Sequence, residues 1–153
     1  MDFEGTPAIA GGRLSVIWES APDKEDTAIV RIQNVSEIEG RTDYAPRFKA
    51  VPQGGRTRIY TIGYQRGEKQ SFSLHHSWLL AANDRHLHYR TPTEEGSSGS
   101  PLFNQDWELV GIHHYSSKEL PSLTTPAQTY SGNKGVWIER IRQAVGEDPN
   151  TST

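Results

Sequence analysis

Residues Thr93 to Asn104 read TEEGSSGSPLFN, a run of glycine and serine of the kind that can present a nucleophilic hydroxyl. A serine is a weak nucleophile at neutral pH. It needs a base within hydrogen-bond reach and a carboxylate that orients that base. A flexible linker has the same composition but would be flanked by polar residues. Here GSSGS runs straight into PLF and, after a tight NQD turn, into the apolar strand WELVGI. The stretch is therefore a turn wedged between two strands. It does not meet the G-x-S-x-G nucleophile elbow, because Ser100 stands where the last glycine should be and no strand–helix alternation surrounds it.

Six histidines are present, His75, His76, His86, His88, His113 and His114. His75 and His76 fall at a strand end. His86 and His88 alternate on one strand face, which reads most simply as surface or half-buried polar residues. Their i, i+2 spacing has no third ligand nearby, so no metal site is expected. Cysteine is absent, which excludes disulfides, thiolate metal sites and a cysteine nucleophile. No cofactor is expected.

A net charge of −3 and the lack of any Lys/Arg run argue against nucleic acid or an anionic membrane as the main partner. No apolar run is long enough to cross a bilayer, and MDFEGTPAIAGG lacks the basic region and apolar core of a signal peptide. A cytoplasmic location is expected, in keeping with the absence of cysteine.

The elements that must position the serine loop are short β-branched or aromatic runs closed by Gly, Pro, Asn or Asp. They are RLSVIW (Arg13–Trp18), TAIVRI (Thr27–Ile32), TRIYTIGY (Thr57–Tyr64), SFSL (Ser71–Leu74), HLHYRT (His86–Thr91) and WELVGIHHY (Trp107–Tyr115). Such spacing predicts an all-β barrel or sandwich. In GVWIERIRQAVG, Trp137, Ile138, Ile141, Ala144 and Val145 recur at helical spacing, which predicts an amphipathic helix over 136–146 stopped by Gly146. A tail, 147–153, follows. Ser116 to Lys134 reads as a Ser/Thr/Pro-rich surface loop.

GSSGSP, with LVGIHH a few residues on, resembles the active-site region of chymotrypsin-fold serine peptidases, and is most similar to the bacterial glutamyl-endopeptidase branch. The resemblance implies that Ser98 is the nucleophile. The local chemistry agrees with it. Gly96 and Gly99 permit a bend that points consecutive N–H groups at one spot, where the oxyanion of an acyl-transfer transition state develops. The donors would be the N–H groups of Gly96 and Ser98. In this family the chain order is His, Asp, Ser, and KEDTAIVRI resembles the strand that carries the aspartate, which implies Asp26 as the triad acid. An acidic loop capping a strand is the plain alternative for Asp23, Glu25 and Asp26.

The implied base should precede the aspartate by on the order of 45 residues. Only 25 residues precede Asp26, and none is a histidine. A two-barrel peptidase needs roughly 200 residues or more, so the resemblance, from Arg13 to about Val145, covers the end of a first barrel and a whole second barrel. About residues 13–50 would end the first barrel, about 51–135 form the second, and about 136–146 the helix. The histidine and opening strands are expected from a separate N-terminal fragment or from elsewhere in a larger protein.

In the glutamyl-endopeptidase branch, the histidine of G-I-H and a threonine five residues before the nucleophile lie in the primary specificity pocket. The corresponding residues are His113 and Thr93. An imidazolium with a hydroxyl donor suits a carboxylate, which predicts cleavage after Glu or Asp; a buried structural histidine is the alternative. His114 would lie near Asp26, and His114, Tyr115 and Ser116 would offer main-chain groups to an extended protein or peptide substrate. The expectation is a serine endopeptidase with a chymotrypsin-like double β-barrel, partial in its first barrel, and a C-terminal helix. A catalytically inactive peptide-binding module is the alternative.

Overall fold

Short β-branched runs become strands throughout the described residues, which in this computed structural model are 14–32, 57–125 and 127–147. The chain divides into two units, residues 1–45 with 148–153 and residues 46–147. In the first unit, β1 (Leu14–Glu19) and β2 (Ala28–Ile32) pair antiparallel, with Val16 opposite Val30 and Glu19 opposite Ala28. A register shift between Val16 and Trp18 turns the strand, and Trp18 is buried while Val16 is exposed. The connecting turn is closed by the N–H groups of Lys24 and Asp26, both donating to the Ala21 carbonyl.

The second unit is one antiparallel sheet and a helix. Its elements are β3 (Tyr60–Gly63), β4 (Ser71–Ser73), β5 (Trp78–Ala82), β6 (His86–Arg90), β7 (Pro101–Phe103), β8 (Leu109–Pro121), β9 (Thr129–Trp137) and α1 (Ile138–Glu147). The strand order is β4-β3-β7-β8-β9-β6-β5. Ile59, Leu87, Tyr89, Leu102 and Val110 form the core, with Leu79, Ala82 and Trp137 packed against them. Each such aliphatic side chain contributes about 1.5–3 kcal/mol on burial. The sheet curls: Arg58, just before β3, bridges Trp78 on β5, with Ile59 N–H donating to Ser77 O and Leu79 N–H to Thr57 O. No ladder closes into a full barrel among the described residues, but the architecture is all-β with one C-terminal helix, as expected from the sequence.

Two local expectations change. Most of 116–134 is not a loop, because β8 and β9 run on as a long hairpin and leave only residues 122–128 to connect them. The helix begins at Ile138 rather than 136, since Val136 and Trp137 still pair with Ile112 and Gly111. Gly146 lies within the helix, not beyond it. The helix packs on β8 and β9 and buries Ile141. Strands β5 and β9 went unforeseen.

Candidate active site

The serine loop is two consecutive tight turns. Ser97 N–H donates to Glu94 O at 3.1 Å, and Ser100 N–H to Ser97 O at 3.0 Å. The third residue of each turn is a glycine, Gly96 at φ +86° and Gly99 at φ +83°. That left-handed region suits glycine, as a type II turn requires. The i, i+3 spacing of the glycines is therefore dictated by two turns in succession. Ser98 stands at the outer corner of the second turn, exposed, between the buried Ser97 and Ser100. The loop is pinned to β8 by Gly99 N–H donating to His113 O and His113 N–H donating to Ser100 O.

The remaining N–H groups matter most. Those of Ser97, Gly99 and Ser100 are engaged, whereas those of Gly96 and Ser98 meet no acceptor among the described residues. These are the two donors expected from the sequence. Ser98 also lines a cavity of about 470 Å3 with Gly96, Tyr64 and Phe103. Its Oγ donates to the His114 carbonyl at 2.9 Å. No histidine ring is hydrogen-bonded to it among the described residues.

These two turns on an antiparallel sheet are matched by a family-level comparison: a model of the trypsin-like peptidase domain fits residues 6–112. The chain belongs to that family. In this trypsin-like peptidase domain, Asp26 lies on the first unit, exposed in the turn before β2 and at φ +48°. Ser98, Thr93 and the G-I-H segment lie on the second.

The second unit brings together part of the expected pocket. A cavity of about 850 Å3 is lined by Thr93 and Ser116, along with Arg90, Lys118, His76 and Asn133 among others. His113, His114 and Tyr115 do not line it. Arg90, Lys118 and Asn133 were not singled out in the sequence, because no motif contains them, and His76 was read only as lying at a strand end. Asn133 Nδ2 donates to Thr91 O at 2.6 Å, which turns its Oδ1 toward Thr93; Thr93 Oγ1 donates to that oxygen at 2.9 Å. Thr93 Oγ1 is also 2.8 Å from Ser116 Oγ, so with its own proton on Asn133 it accepts from Ser116.

His113 is 3% exposed, with Nδ1 2.5 Å from the Tyr89 hydroxyl. Burial, and then the neighbouring His114, lower its pKa to about 4. It is thus neutral at pH 7, where an imidazolium had been expected. Burial likewise pushes the Tyr89 hydroxyl up, so it keeps its proton. With no other acceptor in reach among the described residues, Tyr89 donates to Nδ1, which leaves the ring proton on Nε2.

His88 is equally buried, with Nδ1 2.8 Å from Tyr130 Oη and its pKa lowered to about 4 by burial and Lys134. Among the described residues no three His, Asp or Glu side chains form a group that could hold a metal ion, and no helix is long and apolar enough to cross a membrane. On its β7 side, β8 is paired only up to Ile112 and then by the serine loop at His113; no named strand pairs with it beyond.

Proposed function

We propose that this peptidase domain hydrolyses peptide bonds through an acyl-enzyme on Ser98. The carrying observation is the pair of unengaged N–H groups, Gly96 and Ser98, beside an exposed Ser98 hydroxyl. Ser98 Oγ attacks the scissile carbonyl carbon, and a histidine takes its proton. The oxyanion forms against the two N–H groups, a contact worth ~3 kcal/mol per donor. Collapse expels the amine, which receives that proton, and a water then frees the acid. Asp26 orients the histidine, which comes from a segment or chain outside these 153 residues. An extended substrate adds along β8 at His114 to Ser116. The cavity at Thr93 and Ser116 takes the P1 side chain, with Glu or Asp preferred. The natural partners are protein or peptide substrates and the other domains of a larger, cytoplasmic protein.

Labelling of the full native protein with a fluorophosphonate tests this reading, with the adduct mapped by mass spectrometry. An adduct on Ser98 that vanishes in Ser98→Ala supports it. One observation favours the inactive peptide-binding module instead: the Ser98 proton is held by a main-chain carbonyl rather than an imidazole. Absence of an adduct in the folded, full protein would overturn the enzyme reading in favour of that module.

A further inference from the structure

The larger cavity has a charge pattern that the motifs do not show. None of its lining residues is Asp or Glu, while Arg90 and Lys118 both face it. Neither cation has an ion-pair partner among the described residues. An unpaired cation in a concave, carboxylate-free wall is an electrostatic sink for an anionic side chain. Of the two side chains that the sequence offered for that task, Thr93 is already occupied and His113 is neutral. The Thr93 proton goes to Asn133, and the Ser116 proton to Thr93. His113 faces the Tyr89 hydroxyl from β6, sits beside His114 on its own strand, and carries a single proton, on Nε2. A neutral ring can donate to an amide oxygen as well as to a carboxylate and brings no net charge, so it lacks the ion-pair attraction that an imidazolium would add.

We propose that the positive charge selecting an acidic P1 side chain is carried by Arg90 and Lys118 on the cavity wall, and that His113 is a neutral positioning residue fixed by Tyr89. The assignment rests on the reading of this cavity as the P1 site of a Ser98 peptidase. It has a sharp consequence for pH. Guanidinium and ammonium groups stay charged from about pH 6 to pH 9, whereas an imidazolium counter-ion would be lost across that range. Discrimination of Glu from Gln should therefore be flat with pH.

The test compares matched P1 Glu and P1 Gln peptides on the full protein over that range, reading kcat/KM. Affinity of peptide amides ending in Glu or Gln for the Ser98→Ala variant is read in parallel, so the ratio is measured whether or not Ser98 reacts. A His76→Asn background removes the cavity's own titratable imidazole. The expected result is a Glu/Gln ratio of about ten that does not change with pH, and that falls to near one in Arg90→Gln/Lys118→Gln with Gln substrates unaffected. Nitrogen NMR of the imidazole at neutral pH should show an unprotonated His113 Nδ1. A ratio that survives the double substitution and falls about tenfold per pH unit would place the charge on His113 and overturn the proposal. Preference for Gln in the parent protein would overturn it as well. Ser98 labelling separates the two levels: an adduct with either adverse ratio removes the charge assignment and leaves the peptidase, while a missing adduct removes the peptidase and leaves the binding ratio to decide the charge.

Discussion

A Cβ on Gly96 would lie 3.2 Å from both the Tyr64 carbonyl and the Arg66 N–H, at a φ of +86° that costs an L-residue about 1–2 kcal/mol. Gly96→Ala should therefore tilt the Gly96 N–H, one of the two proposed oxyanion donors, as well as strain the turn. The expected outcome is a drop of about a hundredfold or more in Ser98 labelling rate, with a loss of stability near 1–2 kcal/mol, read by labelling kinetics and denaturant melts. At this scale the loop was legible because two successive turns write their glycines directly into the sequence. Tyr89 and Asn133 were not legible. Tyr89 meets a histidine 24 residues away and Asn133 a threonine 40 residues away, and only strand register brings them there. The neutral state of His113 follows from its burial in the sheet and from the neighbouring His114, so the imidazolium expected from G-I-H could not have been corrected without the sheet.

The β8–β9 hairpin carries His113 to Ser116, Lys118 and Asn133, and its close packing depends on one missing side chain. A Cβ on Gly135 would fall 2.5 Å from Leu102 Cδ1 and 2.9 Å from Ile112 O. Gly135→Ala should destabilise the second unit by about 2 kcal/mol or more through overpacking. Equilibrium unfolding checks this. The hairpin was read as a loop because its outer half, SSKELP and TYSGNK, is built mainly of polar and turn-forming residues and shows no apolar period-2 pattern in the sequence; strand pairing, not an apolar face, makes it a hairpin there. The helix start was misplaced by a related ambiguity. Trp137 fits the apolar stripe of α1, yet its Nε1–H donates to His86 O and its main chain stays in the ladder.

For the whole molecule, composition and strand spacing were enough to fix the class as all-β, and the serine motif led to the family. Neither could show how the sheet's acidic tolerance is set. His88 and His113 have folded pKa values lowered from 6.5 to about 4. Well above pH 6.5 both are neutral, folded or unfolded, and contribute no pH dependence. As pH falls from 6.5 toward 4, the unfolded chain takes up protons that the folded one refuses, so stability declines. Each histidine then costs on the order of 3 kcal/mol by pH 4. Thermal melts from neutral to pH 4 should show a falling Tm, and His113→Gln should flatten part of that fall.

The curl of the sheet has a further consequence, for what can be added to it. The outer edge of β5 is occupied at Trp78 by the residues preceding β3, and the opposite edge, β4, is only three residues long. Both are poor templates for a stray strand. On the side where β7 pairs, the rim of β8 beyond His113 is long and meets no named strand among the described residues. A loose segment of another chain, or of the same one, is thus steered away from edge-to-edge aggregation and toward the one rim that runs past Ser98.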